Sequence, residues 1–349
     1  MCKCMATAAV VAVVLFSGGG VWADVVIDTV TVGNAGNAPD TRYETPGYGG
    51  VGYVYDIGKY EVTAGQYTEF LNAVAATDAY ELYNTDMWVT GYSCMIQRSG
   101  SSGSYTYSVA ADWADRPVNF VTWGDAARFT NSLHNGQPTG AQDLSTTEDG
   151  SYFLDGAMYN YELNAIVRES DATWVIPSED EWYKAAYHKN DGVTGNYWDY
   201  PTGTNTTPSN DLIAPDPGNN ATWYDSGYTI GSPYWRTEVG AHENSDSPYG
   251  TFDQGGNLWE WNEALLYGSN RGLRAGSFES DVGVGDDPLH ASFRDFHVPP
   301  TYEFANFGFR VAQVPEPAAV VMLALGSLGV ALRRRGSVLP QVRHSLCRR

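Results

Sequence analysis

The chain has 349 residues, with 20 Lys+Arg against 41 Asp+Glu and a formal net charge of −21. Seven of the basic residues, and only Glu316 of the acids, lie in the two end segments, so the body between them carries 13 against 40, a net of −27. Such a body excludes nucleic acid as a partner, because phosphate binding needs a basic face; it suits solubility outside the cell and calcium.

Residues 1–23 read as a secretory signal: Lys3 gives a basic start, 6–16 an apolar run, and Val21-Trp22-Ala23 a small-residue cleavage site. Residues 24–45 read as an N-terminal strand and a polar linker, and 47–55 as a second strand with tight turns. Three helix starts follow. Thr63 and Gln66 form a capping box ahead of Tyr67, Phe70, Leu71 and Val74, an apolar face at spacings of three and four. Thr122 and Asp125 open a second helix, with Ala126, Phe129 and Leu133 inward and Gly136 as its stop. Ser178 and Glu181 open a third, with Trp182, Ala185 and Ala186 on the buried side, and the acids Glu179, Asp180 and Glu181 suit its N-terminal dipole. Between helices the chain is rich in Gly, Ser, Asn, Asp and Tyr, which predicts short strands and long loops pinned by 11 Trp and 24 Tyr.

The stretch FDQGGNLWEW, 252–261, places Asp253 and Glu260 as oxygen donors around a tight glycine turn. Of four cysteines only Cys94 stays in the body, so no intrachain disulfide can staple the fold, and a buried apolar thiol is the expectation. Six histidines offer no pair at helical metal-site spacing; His290 and His297 are the one close pair. Phosphate-loop, nucleophile-elbow and zincin motifs are absent from the sequence.

At the C-terminus, Pro315-Glu316-Pro317, an apolar stretch 318–332 and Arg333-Arg334-Arg335 stand in that order. They resemble the PEP-CTERM sorting signal (313–336), here followed by a basic tail, 337–349. The resemblance implies a bacterial exported protein of the cell envelope or extracellular surface. It implies an exosortase-type processing partner, and membrane contact through a short C-terminal helix before processing.

Tyr60-Glu61-Val62-Thr63, the phrase from Pro117 to Ala126, the phrase from Ile176 to Ala186, Gly256 to Trp261, Arg274-Ala275-Gly276-Ser277-Phe278 and Gly308-Phe309-Arg310 follow one another in order. Together they resemble the formylglycine-generating enzyme, or sulfatase-modifying-factor, family. The resemblance implies an α+β domain over 46–312 with a C-type-lectin-like fold, low in regular structure, with short antiparallel strands and a few helices. It implies structural calcium on Asp253 and Glu260 side chains and on the Gly256 and Leu258 carbonyls. Family enzymes hold copper with two cysteines between the Arg-Gly-Gly-Ser and Gly-Phe-Arg phrases. This chain has no cysteine from Arg274 to Gly308 and carries Ala291 at the second position, so no copper is expected. The resulting expectation is a non-catalytic module that binds an extracellular peptide, glycan or protein in a groove of Arg274, Ser277, Phe278, Arg294 and Phe296. The alternative is an enzyme of the family with altered, metal-dependent chemistry. Arg310 is expected to pair with a buried acid.

Overall fold

The computed structural model describes residues 24–89, 91–281, 287–294 and 298–315. The expected signal, the apolar C-terminal stretch and the basic tail lie outside them. Among the described residues no helix is long and apolar enough to cross a membrane.

In chain order the elements are β1 (Thr29–Val32), β2 (Tyr55–Gly58), α1 (Ala64–Val74), α2 (Asp86–Val89), β3 (Ile96–Ser99), β4 (Thr106–Val109), α3 (Trp123–His134), α4 (Asn160–Leu163), β5 (Trp174–Val175), α5 (Glu179–Tyr187), β6 (Trp259–Leu266), β7 (Asn270–Arg274), β8 (Phe307–Gly308) and β9 (Ala312–Gln313). The three longer helices start where the sequence places a cap. Thr63, Thr122 and Ser178 each accept from the N–H three residues on, and Gln66, Asp125 and Glu181 each reach back to the cap's own N–H. Two otherwise orphaned backbone donors are satisfied at each start. Gly136, at φ +77°, follows the last residues of α3 and donates back to the Leu133 carbonyl.

α1 buries Tyr67, Phe70, Leu71 and Val74. Tyr67 and Phe70 meet Phe129 of α3 at centroid distances of 6.2 and 5.2 Å, and Phe309 closes the cluster against Phe129 at 5.3 Å. This aromatic knot joins both helices to the strand-bearing C-terminal segment.

The main sheet has the order β1-β2-β9-β5, all antiparallel. β1 pairs with β2 from Thr29↔Gly58 to Val32↔Tyr55. Residues 24–45, expected as a strand and linker ahead of the domain, are therefore part of it. β3 and β4 make a hairpin. In the third sheet, β7-β6-β8, β6 and β7 are antiparallel but β6 and β8 run parallel. The parallel pair arises because β8 arrives from a long loop and not from a hairpin turn. On β6, Trp261 is buried and donates its indole N–H to the Val121 carbonyl at 3.0 Å. Glu260, also fully buried, projects to the other side of the strand.

Candidate functional site

Ala291, expected at the family's second cysteine position, lies on the floor laid by α5. Trp182, Tyr183, Tyr187, Tyr197, Ala275 and Ala291 form one buried cluster, with Tyr48 packed against it. Ala291 is held by its backbone: its N–H donates to the Asp199 carbonyl at 2.8 Å, and its carbonyl accepts from Arg274 Nη1 at 3.2 Å. The Ala291 methyl group is 1% exposed.

Arg274, at the end of β7, ties this floor together. Its Nε donates to Glu179 Oε1 at 2.8 Å and its Nη1 to the Phe293 carbonyl at 2.7 Å. The rings of Tyr48 and Tyr183 lie 4.7 and 4.9 Å from its guanidinium carbon. Glu179 also pairs with Arg294, so one carboxylate serves two guanidinium groups. Glu181 receives Arg168 at 2.8 Å. Glu179 and Glu181, expected to suit the helix dipole, are thus ion-pair partners of three arginines, while Asp180 accepts from the Gly49 N–H at 2.8 Å.

The expected groove residues separate on inspection of their burial. Arg274, Ser277 and Phe278 are at most 1% exposed and cannot line an open groove. Ser277 Oγ lies 3.4 Å from Ser280 Oγ, and Phe278 is sealed by Tyr92, Tyr228 and Arg236. These three brace the turn after β7. Arg294 reaches the surface, its guanidinium 5.3 Å from the Tyr48 ring. Phe296 and His297 lie outside the described residues.

The surface beside Arg294 comes from residues the sequence did not single out. Tyr43 donates its hydroxyl to Asp199 Oδ1 at 2.8 Å, and Arg42 reaches the same oxygen at 2.6 Å. His290 stands between the rings of Tyr43 and Tyr200, at 5.4 and 5.3 Å, and its Nδ1 lies 2.8 Å from Ser292 Oγ. Asp40 anchors the patch. Burial would raise its carboxyl, but hydrogen bonds from Arg42 and Tyr183 outweigh that and hold it below the usual carboxylate range. Arg42 and Tyr43 sit in the segment read as a linker, which is why they escaped notice.

Both carboxylates of the expected calcium set have protein partners. Glu260 accepts from Arg310 through both oxygens, at 2.5 and 2.6 Å, and from the Trp182 indole N–H at 2.7 Å. Its carboxylate is thus the counter-ion of Arg310, the buried acid expected for that arginine. Gly256 is required by its neighbour: at φ +90°, a Cβ would fall 2.2 Å from the Thr222 carbonyl oxygen. The Leu258 N–H donates to Glu61 Oε1 at 3.0 Å, and Asp253 Oδ2 accepts from the Gly240 N–H at 2.7 Å. Among the described residues, no group of three or more His, Cys, Asp or Glu side chains is placed to hold a metal. The segment does gather acids. Burial, with the charges of Asp253 and Glu260, lifts Glu61 well above the usual range, and burial pushes Asp253 up to about 6. Cys94, the free cysteine among the described residues, is buried, and burial raises its thiol.

Comparison with known proteins agrees with this architecture. The sulfatase-modifying factor enzyme 1-like domain matches residues 18–314, and the PEP-CTERM protein-sorting motif matches 313–335. No curated protein matches the chain. Among solved structures, Treponema denticola variable protein 1 is 19% identical, with 82% of this chain and 95% of that one covered and a TM-score of 0.49. CarF is 16% identical, over 84% of this chain and all of the other, with a TM-score of 0.47. PvdO from Pseudomonas aeruginosa is 15% identical, over 83% and 92%, with a TM-score of 0.42. The sorting motif marks a bacterial exported protein directed to the cell envelope and recognised by exosortase processing. With nearly all of the described fold inside one family match, the chain belongs to the sulfatase-modifying factor enzyme 1-like family and has its C-type-lectin-like α+β fold.

Proposed function

We propose that this exported protein is a non-catalytic member of its family that binds an extracellular ligand on the surface around Ala291. The observation that carries the reading is the sealed alanine. No cysteine occurs between Arg274 and Gly308, and the Ala291 backbone is committed on both sides to Asp199 and Arg274. Copper(I) is selected by soft thiolate ligands. The neighbouring surface of Arg42, Tyr43, Tyr48, His290 and Arg294 combines aromatic rings with cations and hydrogen-bonding groups, a composition suited to recognition.

The test has two arms. The purified protein, supplied with copper and oxygen, is offered a cysteine peptide of the sulfatase type, and aldehyde is assayed by hydrazide labelling. The same preparation is screened for binding to extracellular peptides, proteins and glycans, with Arg294→Ala and Tyr43→Ala as controls. No aldehyde, and a ligand weakened by those substitutions, is the expected result. Catalytic aldehyde formation refutes the proposal.

A further inference from the structure

The described fold begins with residues that are gripped one by one. Val25 lies in the core at 8% exposure, and one side chain holds its backbone on both sides. The Val25 N–H donates to Gln137 Oε1 at 2.6 Å, and Gln137 Nε2 donates to the Val25 carbonyl at 3.0 Å. Gln137 turns back after α3 at φ +58°, with its own N–H on the Ser132 carbonyl. The Val26 carbonyl accepts from Gln66 Nε2 at 2.7 Å, and Gln66 Oε1 accepts the Thr63 N–H at the start of α1. Thus α1 and the turn after α3 each contribute a glutamine, and the chain is fixed from the residue after Asp24 onward.

That anchoring sets Asp24 at a narrow cleft between α1 and α3. Asp24, Val25, Glu69, Phe70, Phe129 and Leu133 are among the residues that line it, and none of them belongs to the surface around Ala291. Its volume of about 20 Å³ has room for a polar group the size of one water molecule. Glu69 is half-buried there and has no hydrogen bond or ion pair among the described residues. Burial lifts its carboxyl above the ordinary value, and no partner opposes the lift.

Charge says what is missing. Among the described residues the cleft is lined by no Lys, Arg or His. The body has 13 Lys+Arg for 40 acids, so cations are scarce throughout. One further cation stands outside that count, the α-ammonium of a processed chain. The secretory signal is expected to end at Ala23, which puts that ammonium on Asp24, in the same cleft as Glu69.

We infer that the Ala23–Asp24 bond is the processing site of the exported chain, and that Glu69 binds the ammonium group which the cut creates. Hydrolysis by the export peptidase adds one water across that bond. The water oxygen goes to the Ala23 carbonyl carbon, which leaves as a carboxylate. Both water protons end on the Asp24 nitrogen, so a neutral amide becomes an ammonium. Processing therefore supplies the counter-charge of Glu69 and pins the new N-terminus to α1 and α3.

The pH dependence follows from the pairing. The Asp24 side chain and Glu69 are the titratable side chains of the cleft among the described residues. A free α-amine titrates at about 7.7–8.0, and a carboxylate beside it raises that value in the fold. The gain in stability is therefore complete below about 7.7 and is lost as pH rises through the raised value.

The test uses the full chain, exported and processed by a bacterial host. Mass spectrometry of its N-terminal peptide finds Asp24 as the first residue. A second chain carries Gly-Ser-Gly inserted between Ala23 and Asp24, which moves the ammonium by about 10 Å after processing. Acylation of the α-amine by an activated ester at pH 7, read by mass spectrometry, runs roughly tenfold slower in the parent than in the inserted chain, the effect of one unit of pKa. Glu69→Gln abolishes the difference, whereas Asp24→Asn keeps it. The parent also melts about 1–4 °C above the inserted chain at pH 7, and in Glu69→Gln the two melt together. A first residue other than Asp24, equal acylation of the parent and Glu69→Gln, or a difference abolished by Asp24→Asn overturns the inference.

Discussion

Replacing Arg310 by methionine tests the ion-pair account of the Trp-Glu-Trp segment. Arg310 and Glu260 are both wholly buried. Beyond Glu260, Arg310 donates to the carbonyls of Gly58 at 2.9 Å and Phe252 at 2.8 Å. Methionine fills a similar volume but leaves Glu260 with the Trp182 indole N–H and no cation, and removes the Arg310 donor from those two carbonyls. It also leaves Glu260 beside Glu61 and Asp253 with no cation among them. Breaking a buried pair in this way costs about 3–5 kcal/mol, and at roughly 2–4 °C per kcal/mol for a domain near this size the Tm falls by about 6–20 °C. Urea unfolding followed by tryptophan fluorescence at pH 7.5 gives the free energy, and Glu260→Gln combined with Arg310→Met recovers part of the loss. A loss under about 1 kcal/mol refutes the reasoning, because it means that some other cation balances Glu260.

The same account predicts that a calcium chelator leaves the Tm of the unaltered protein where it was; a fall of several degrees reinstates the ion on this segment. Asp253→Asn keeps the acceptor for Gly240 but removes a carboxylate whose folded pKa, about 6, lies above its ordinary 3.8. A raised carboxyl destabilises the fold above that value and is relieved as pH falls through 6 toward 3.8. The variant is therefore more stable than the parent at pH 7.5, and the difference fades by pH 4, as thermal melts across that range will show. Gly256→Ala drives a Cβ against the Thr222 carbonyl at φ +90° and costs at least about 2 kcal/mol in urea unfolding. Ser178→Ala removes the cap of α5 and costs about 1 kcal/mol by the same assay.

Local rules made much of this fold legible. The three capping boxes, the inward face of α1 and the stop after α3 each depend on residues within one helical turn, and all three helices begin where those residues stand. The partner of Arg310 was predicted only as an acid, since nothing in the spacing of Glu260 and Arg310, fifty residues apart, says that they meet. Glu260 illustrates the limit most clearly. A carboxylate beside a glycine turn reads equally well as a metal ligand or as a counter-ion, and only the arrival of Arg310 from the chain's end decides. The groove suffered from the same blindness to depth. Arg274, Ser277 and Phe278 were identified by their place in a phrase, yet burial turns them into braces. Arg42, Tyr43 and Asp199 meet through contacts across more than 150 residues. No periodicity announces such a meeting.

The place of β9 bears on how this molecule matures. Its two residues, Ala312 and Gln313, lie between β2 and β5 and pair with both, and the sorting motif begins at residue 313. The seam that unites the earliest strands with the middle of the chain is therefore among the last parts of the domain to be synthesised. The main sheet therefore cannot close until that seam has been delivered. A chain cut before Ala312 would lose the strand that stands between β2 and β5, and with it the keystone of the sheet.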